Sequence, residues 1–230
     1  MNDCVKNIQR YLLPTVCVTC GQAAEGELDL CRGCLAALPY PGVACRQCAL
    51  PLAEAGICGR CLKTPPPFEQ VFSLFRYAHP VDHLIQQLKF NRRLVNARLL
   101  AALMVEMLRQ QGQRLPDLLV PVPLHRRRLQ SRGYNQAVEL ARPVSRELGV
   151  PMRLDSCRRM RETAVQSDLP AKQRRANIKG AFDVDHSLRG RHIAIVDDVM
   201  TTGNTVTELA HVMRQRGARM VDVWVCARVP

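Results

Sequence analysis

Beyond residue 116 of this 230-residue chain, short β-rich runs alternate with helically spaced ones. Asp117-Leu118-Leu119-Val120-Pro121-Val122-Pro123 reads as a strand ending at a proline-stiffened turn. His192-Ile193-Ala194-Ile195-Val196 is a run short enough for a buried parallel strand, and Asp197-Asp198 end it. Over residues 206–213 the apolar positions recur with helical spacing until Gly217, and residues 220–226 make the next strand. This β-loop-α-β order predicts an α/β domain that binds ligands at the carboxyl ends of its strands. A further helix start is expected at Pro80. The most apolar stretch, residues 99–105, ends at Glu106, far short of the roughly 20 residues that span a bilayer. No direct membrane insertion is expected. Residues 156–180 are polar, rich in arginine and bounded by strand-like segments. A long loop of that kind is usually functional or disordered, here a cover over a ligand or a strip following a nucleic-acid backbone.

The first 62 residues have a different texture. Eight of the eleven cysteines form four Cys-x-x-Cys pairs: Cys17/Cys20, Cys31/Cys34, Cys45/Cys48 and Cys58/Cys61. Each pair presents two thiolates from one tight turn, and two pairs complete a tetrahedral zinc shell with no open position. The metal, one ion or two, is therefore expected to be structural. The simplest pairing is consecutive, Cys17/Cys20/Cys31/Cys34 and Cys45/Cys48/Cys58/Cys61, with interleaving as the alternative. Disulfides would need an oxidising compartment. Met1-Asn2-Asp3-Cys4-Val5-Lys6 lacks the basic flank and long apolar run of a secretory signal, so a cytoplasmic protein is expected. Cys4, Cys157 and Cys226 stand apart and read as small buried hydrophobes or incidental thiols. Thr64-Pro65-Pro66-Pro67 forms a stiff spacer, which places a zinc-ribbon module at 1–64 and the α/β domain at 65–230.

Charge divides the chain in the same place. Residues 1–62 carry five basic and five acidic side chains, so the net charge of +13 belongs to the remainder. Between residues 124 and 180 there are fourteen Lys/Arg against five acids. Such a field draws polyanions or phosphorylated small molecules, the alternative being a solvated basic surface.

The chemistry concentrates after the strand at 192–196. Thr201, Thr202, Gly203, Asn204 and Thr205 combine hydroxyl donors with a glycine at a helix start, where backbone N–H groups converge on phosphate. Asp197 and Asp198 can accept hydrogen bonds from vicinal ribose hydroxyls. Strand, two acids, hydroxyl-rich loop and helix together resemble the signature of type I phosphoribosyltransferases. That resemblance implies a parallel sheet flanked by helices. It assigns Asp197 and Asp198 to the ribose of phosphoribosyl pyrophosphate, bound with Mg²⁺, and residues 201–205 to its 5′-phosphate. Thr201 stands where several nucleobase-salvage members carry an aspartate proposed as general base, which argues against that activity.

Upstream, His125 is followed by Arg126, Arg127 and Arg128, expected as a basic loop whose guanidinium forks meet pyrophosphate. Arg132-Gly133-Tyr134-Asn135-Gln136, Thr163-x-x-Gln166, Arg174-Arg175-x-Asn177, Gly180-Ala181-Phe182 and Leu88-Lys89-Phe90 downstream of Tyr77 resemble the ComF family of competence-associated proteins. With the ribbons and the phosphoribosyl loop, these matches cover nearly the whole chain. Within that family the layout is closest to members associated with use of external DNA. The resemblance implies support of DNA uptake or utilisation, with single-stranded DNA on the basic face (Arg126, Arg127, Arg128, Arg132, Arg174, Arg175) and a DNA-uptake helicase or channel protein as partner. Tyr134, Phe90 and Phe182 are candidates for base stacking, with core packing as the alternative for each. A phosphoribosyltransferase acting on an unidentified acceptor, and a sensor of phosphoribosyl pyrophosphate, remain alternatives.

Overall fold

The computed structural model describes residues 16–24, 28–112, 114–162 and 178–230. Two short helices, α1 (Arg32–Ala36) and α2 (Gly59–Lys63), lie in the cysteine-rich region. Then follow β1 (Val71–Arg76), α3 (Val81–Phe90), α4 (Leu94–Gln110), β2 (Leu118–Pro121), α5 (Arg126–Arg132) and α6 (Gln136–Leu148). The chain ends with β3 (Cys157–Arg159), β4 (Phe182–Val184), β5 (His192–Met200), α7 (Asn204–Gln215) and β6 (Met220–Arg228).

Among the described residues, β1, β6, β5 and β2 form one parallel sheet in that order, and β3 and β4 pair antiparallel. The central strands β5 and β6 are buried along nearly their whole length. That is why they read as continuous apolar runs without alternation. On one face Phe72, Val196, Trp224 and Cys226 meet α3, α4 and α6. On the other, Ile193, Ile195, Val223 and Val225 meet α7 and β4. A parallel sheet flanked by helices is the architecture the resemblance implied. Strand β5 runs through the two acids to Met200, four residues beyond the expected end at Val196. The cause is β6, which continues to Arg228 and holds Asp197, Val199 and Met200 in register with Val225, Ala227 and Arg228.

The first cysteine region joins the core that contains Phe75 and α4, and the second joins the core that contains α7. The ribbons therefore pack on different faces of the sheet. Arg76 N–H donates to Pro39 O at 2.8 Å, and Tyr40 packs on Phe75 with ring centroids 5.2 Å apart. Both contacts seat the ribbon region against β1.

The Arg132-to-Gln136 motif has a local physical explanation. Gly133, at φ +83°, ends α5 in the left-handed region that glycine accepts at little cost. Tyr134 donates its hydroxyl to Leu88 O, and the Asn135 side chain caps α6 by accepting from Ala137 N–H at 3.0 Å. Asn135 Nδ2 also donates to Val122 O at 2.9 Å. One short segment thus fixes α5, α6 and the turn after β2 against α3.

Candidate functional site

Asp197 and Asp198 stand at the carboxyl end of β5, side by side in the chain but on opposite faces of the strand. Each carboxylate is tied to the backbone: Asp197 Oδ1 accepts from Asp198 N–H and Asp198 Oδ1 from Val199 N–H, both at 2.9 Å. Lys89, from the end of α3, reaches Asp198 Oδ2 at 2.6 Å. Burial pushes Asp197 up to about 8, the neighbouring Asp198 carboxylate adds to the rise, and the Lys89 ammonium opposes it. Burial alone would lower Lys89, but the charge of Asp198 holds it above the ordinary lysine value. Near neutral pH Asp197 thus holds a proton that a bound cation, or hydrogen-bond donors that favour the carboxylate, would release. The Cys226 thiol, fully buried beneath both acids, is raised well above its ordinary value by that burial.

The loop after β5 turns at Gly203, which has φ +80° and forms the N-cap of α7 with no side-chain cap. At that φ a side chain would be strained, and a Cβ would also displace the flexible end of Met200, whose Cε lies 2.5 Å from its place. Asp197, Thr201, Gly203, Asn204 and Thr205 line a small cavity of about 50 Å³ at the start of the helix. Its size and the N-terminal end of α7 suit a phosphate group. Thr202 turns away. It lines a cleft of about 180 Å³ with Cys48, Arg60, Cys61 and Phe68, between the loop and the second ribbon. The sequence grouped Thr202 with its neighbours, but the turn directs it to the ribbon side.

The predicted arginines separate in the same way. Arg126, Arg127, Arg128 and Arg132 lie on α5, a helix rather than a basic loop, so they point in different directions. Arg126 and Arg127 are exposed, and Arg127 pairs with Glu162 at 3.0 Å. Arg132 is half-buried within the field of Asp198, with Arg128 nearby; burial lowers its affinity for its proton. Arg159 on β3 faces Asp197 and Arg128 electrostatically and stacks its guanidinium 5.6 Å from the Phe182 ring centroid. Arg174 and Arg175, with Thr163, Gln166 and Asn177, lie outside the described residues. Of the proposed stacking aromatics, Phe182 is buried and Tyr134 is half-buried with its hydroxyl engaged. Phe90 is 72 % exposed.

The cysteines form two separate clusters, Cys17/Cys20/Cys31/Cys34 and Cys45/Cys48/Cys58/Cys61, each with its Sγ atoms within 4.8 Å of one another. The pairing is consecutive. Sγ separations of 3.7 Å (Cys20–Cys31) and 3.6 Å (Cys48–Cys58) fit a tetrahedron of about 2.3 Å Zn–S bonds, whose edges are about 3.8 Å. Burial acts against ionisation of Cys17 and Cys45, yet backbone N–H donors bring each down to about 6, favouring thiolate. Both clusters suit structural zinc. Cys157 and Cys226, as expected, are buried in the cores.

Residues 8–62 match the double zinc ribbon domain family, and residues 134–230 match the phosphoribosyl transferase domain family. The DNA utilization protein YhgH of Escherichia coli (strain K12) is 40% identical over 94% of this chain and 98% of its own length. The chain belongs to the ComF family. Competence protein F of Haemophilus influenzae is 35% identical over 92% of this chain and 96% of its own length. Competence protein ComFC of Bacillus subtilis is 25% identical over 82% and 79%.

For this ComF-family chain the structure adds residues that sequence reasoning missed or could not place. Lys89 and Tyr77 had no position relative to the site. Lys89 is now the ion-pair partner of Asp198, and Tyr77 N–H donates to Arg228 O at 2.9 Å. Arg228, only 4 % exposed, donates Nε to Cys48 O at 3.1 Å and Nη1 to Met200 O at 3.1 Å, and it also reaches Thr201 O. Arg60 Nη1 donates to Thr202 O at 3.2 Å. The second ribbon is thus fastened to the back of the loop after β5. No local sequence signal marks Arg228 or Arg60, since each acts on backbone carbonyls supplied by a distant segment. No helix among the described residues is long and apolar enough to cross a membrane.

Proposed function

We propose that this ComF-family protein supports DNA uptake or utilisation by binding a phosphoribosyl ligand, phosphoribosyl pyrophosphate or a close relative, together with single-stranded DNA. Residues 65–230 would form the ligand domain, and the nearly neutral ribbon module, 1–64, would face a protein partner. Asp197 and Asp198 would accept hydrogen bonds from the ribose hydroxyls. Thr201, Gly203, Asn204 and Thr205 would surround the 5′-phosphate, with Thr202 bracing the loop from the ribbon side. Arg128, Arg132 and Arg159 would meet the pyrophosphate with Mg²⁺. The observation that carries this reading is the proximity of an acid pair, in which burial raises Asp197, to a glycine-bent hydroxyl loop at a helix N-terminus. The names of the relatives support the DNA-handling role.

Calorimetry with phosphoribosyl pyrophosphate and Mg²⁺ tests the ligand. Binding is expected, and Asp197→Ala with Asp198→Ala should abolish it; equal binding by the double variant would overturn the site assignment. A second reading, a phosphoribosyltransferase with an unidentified acceptor, draws on the same geometry. Pyrophosphate release across a panel of nucleobases and amines would establish turnover, and its absence beside tight binding would support the binding role.

A further inference from the structure

Phe90 is the most exposed of the large hydrophobic side chains on the described surface. It closes α3, one residue after Lys89, whose ammonium engages Asp198. The guanidinium carbon of Arg132 lies 5.6 Å from the Phe90 ring centroid. The two helices that carry this pair are locked together nearby, because Tyr134 donates its hydroxyl to Leu88 O. Arg92 and Arg93 follow in the chain, both exposed, and Arg92 leans over Gly133. An aromatic ring left in water costs free energy unless something covers it, and here its surroundings are cationic. An apolar protein partner would have to desolvate these cations. A nucleic-acid strand would not, because it brings a flat base for the ring and phosphates for the guanidinium groups.

We infer that Phe90 and Arg132 form a stacking platform for a base of single-stranded nucleic acid at the mouth of the acid-pair site. The inference rests on the nucleic-acid half of the proposed function and adds the residues that hold the base. Arg92 and Arg93 receive phosphates of the same strand. The platform stands beside the Lys89–Asp198 pair, so a strand seated on it borders the phosphoribosyl ligand without needing the phosphate loop.

The test is fluorescence anisotropy with a labelled oligodeoxythymidylate and an abasic strand of equal length, on the full chain with zinc. Phe90→Ala should weaken oligodeoxythymidylate binding by about tenfold and leave abasic-strand binding unchanged. The slope of affinity against salt should not change, because no phosphate contact is lost. Phe90→Trp should retain affinity and report stacking by quenching, since the native Trp224 is buried. Calorimetric binding of phosphoribosyl pyrophosphate should be the same in Phe90→Ala, which also shows that the variant is folded. If the wild type binds neither strand, the nucleic-acid half of the proposed function fails and this inference fails with it. If the wild type binds and Phe90→Ala binds equally, or loses both strands alike, the platform alone is overturned.

Discussion

At the scale of single residues, the site is an electrostatic problem solved by one lysine. Two carboxylates in adjacent positions of a buried strand end would repel, and Lys89 offsets one of them. What remains is Asp197, held up at about 8 by burial and by Asp198. The unfolded chain ionises the same group near 4. Between those values the folded state keeps a proton that the unfolded state has lost, so this group makes stability fall as pH rises from about 4 to about 8 and level off above. Asp197→Asn removes that penalty. Its melting temperature should exceed that of the wild type at pH 8 by a few degrees, at about 2–4 °C for each kcal/mol, and the advantage should vanish near pH 4. Thermal unfolding in matched buffers at the two pH values checks this, and a variant no more stable at pH 8 would contradict the raised pKa of Asp197. The acid pair itself was legible in the sequence. Its counter-ion was not, because Lys89 precedes Asp198 by more than a hundred residues and meets it only through the packing of α3.

At the scale of elements, the phosphate loop is a short segment between β5 and α7 held from both sides. From within, Gly203 permits the turn over Met200. From outside, Arg228 and Arg60 hold the carbonyls of Met200, Thr201 and Thr202. Arg228→Met should strand the carbonyls of Thr201 and Cys48, costing about 1–3 kcal/mol. Amide exchange should rise selectively across residues 200–205 and around Cys48, while the protection of α4 and α6 stays as in the wild type. Hydrogen-exchange mass spectrometry reads this directly, and uniform exchange over the whole chain would mean a general loss of fold instead. The strand, loop and helix were readable from apolar runs and a glycine. The clamp was not, since nothing near Arg228 in the sequence refers to the ribbons. The arginines after His125 were likewise visible as a group, but their helix sorts them: Arg132 faces Asp198 while Arg127 pairs with Glu162.

At the scale of the whole molecule, the chain places two zinc clusters on different faces of one parallel sheet and ties the second to the ligand loop. The sequence shows eight paired cysteines, from which the metal follows, and a β-loop-α-β order with an acid-and-threonine loop, from which the class of fold follows. It does not show that the ribbons straddle the sheet, because that depends on which core each turn enters. The central claim is that the acid pair at the end of β5, with Asp197 raised by burial, grips the ribose of a phosphoribosyl ligand. Calorimetry of phosphoribosyl pyrophosphate with Mg²⁺ at pH 7, repeated in two buffers of different ionisation enthalpy, tests it most directly. As a carboxylate Asp197 is an acceptor only, whereas its protonated form also donates, so binding that favours the carboxylate should release close to one proton, and Asp197→Asn should release none. Binding whose heat is the same in both buffers would contradict the account.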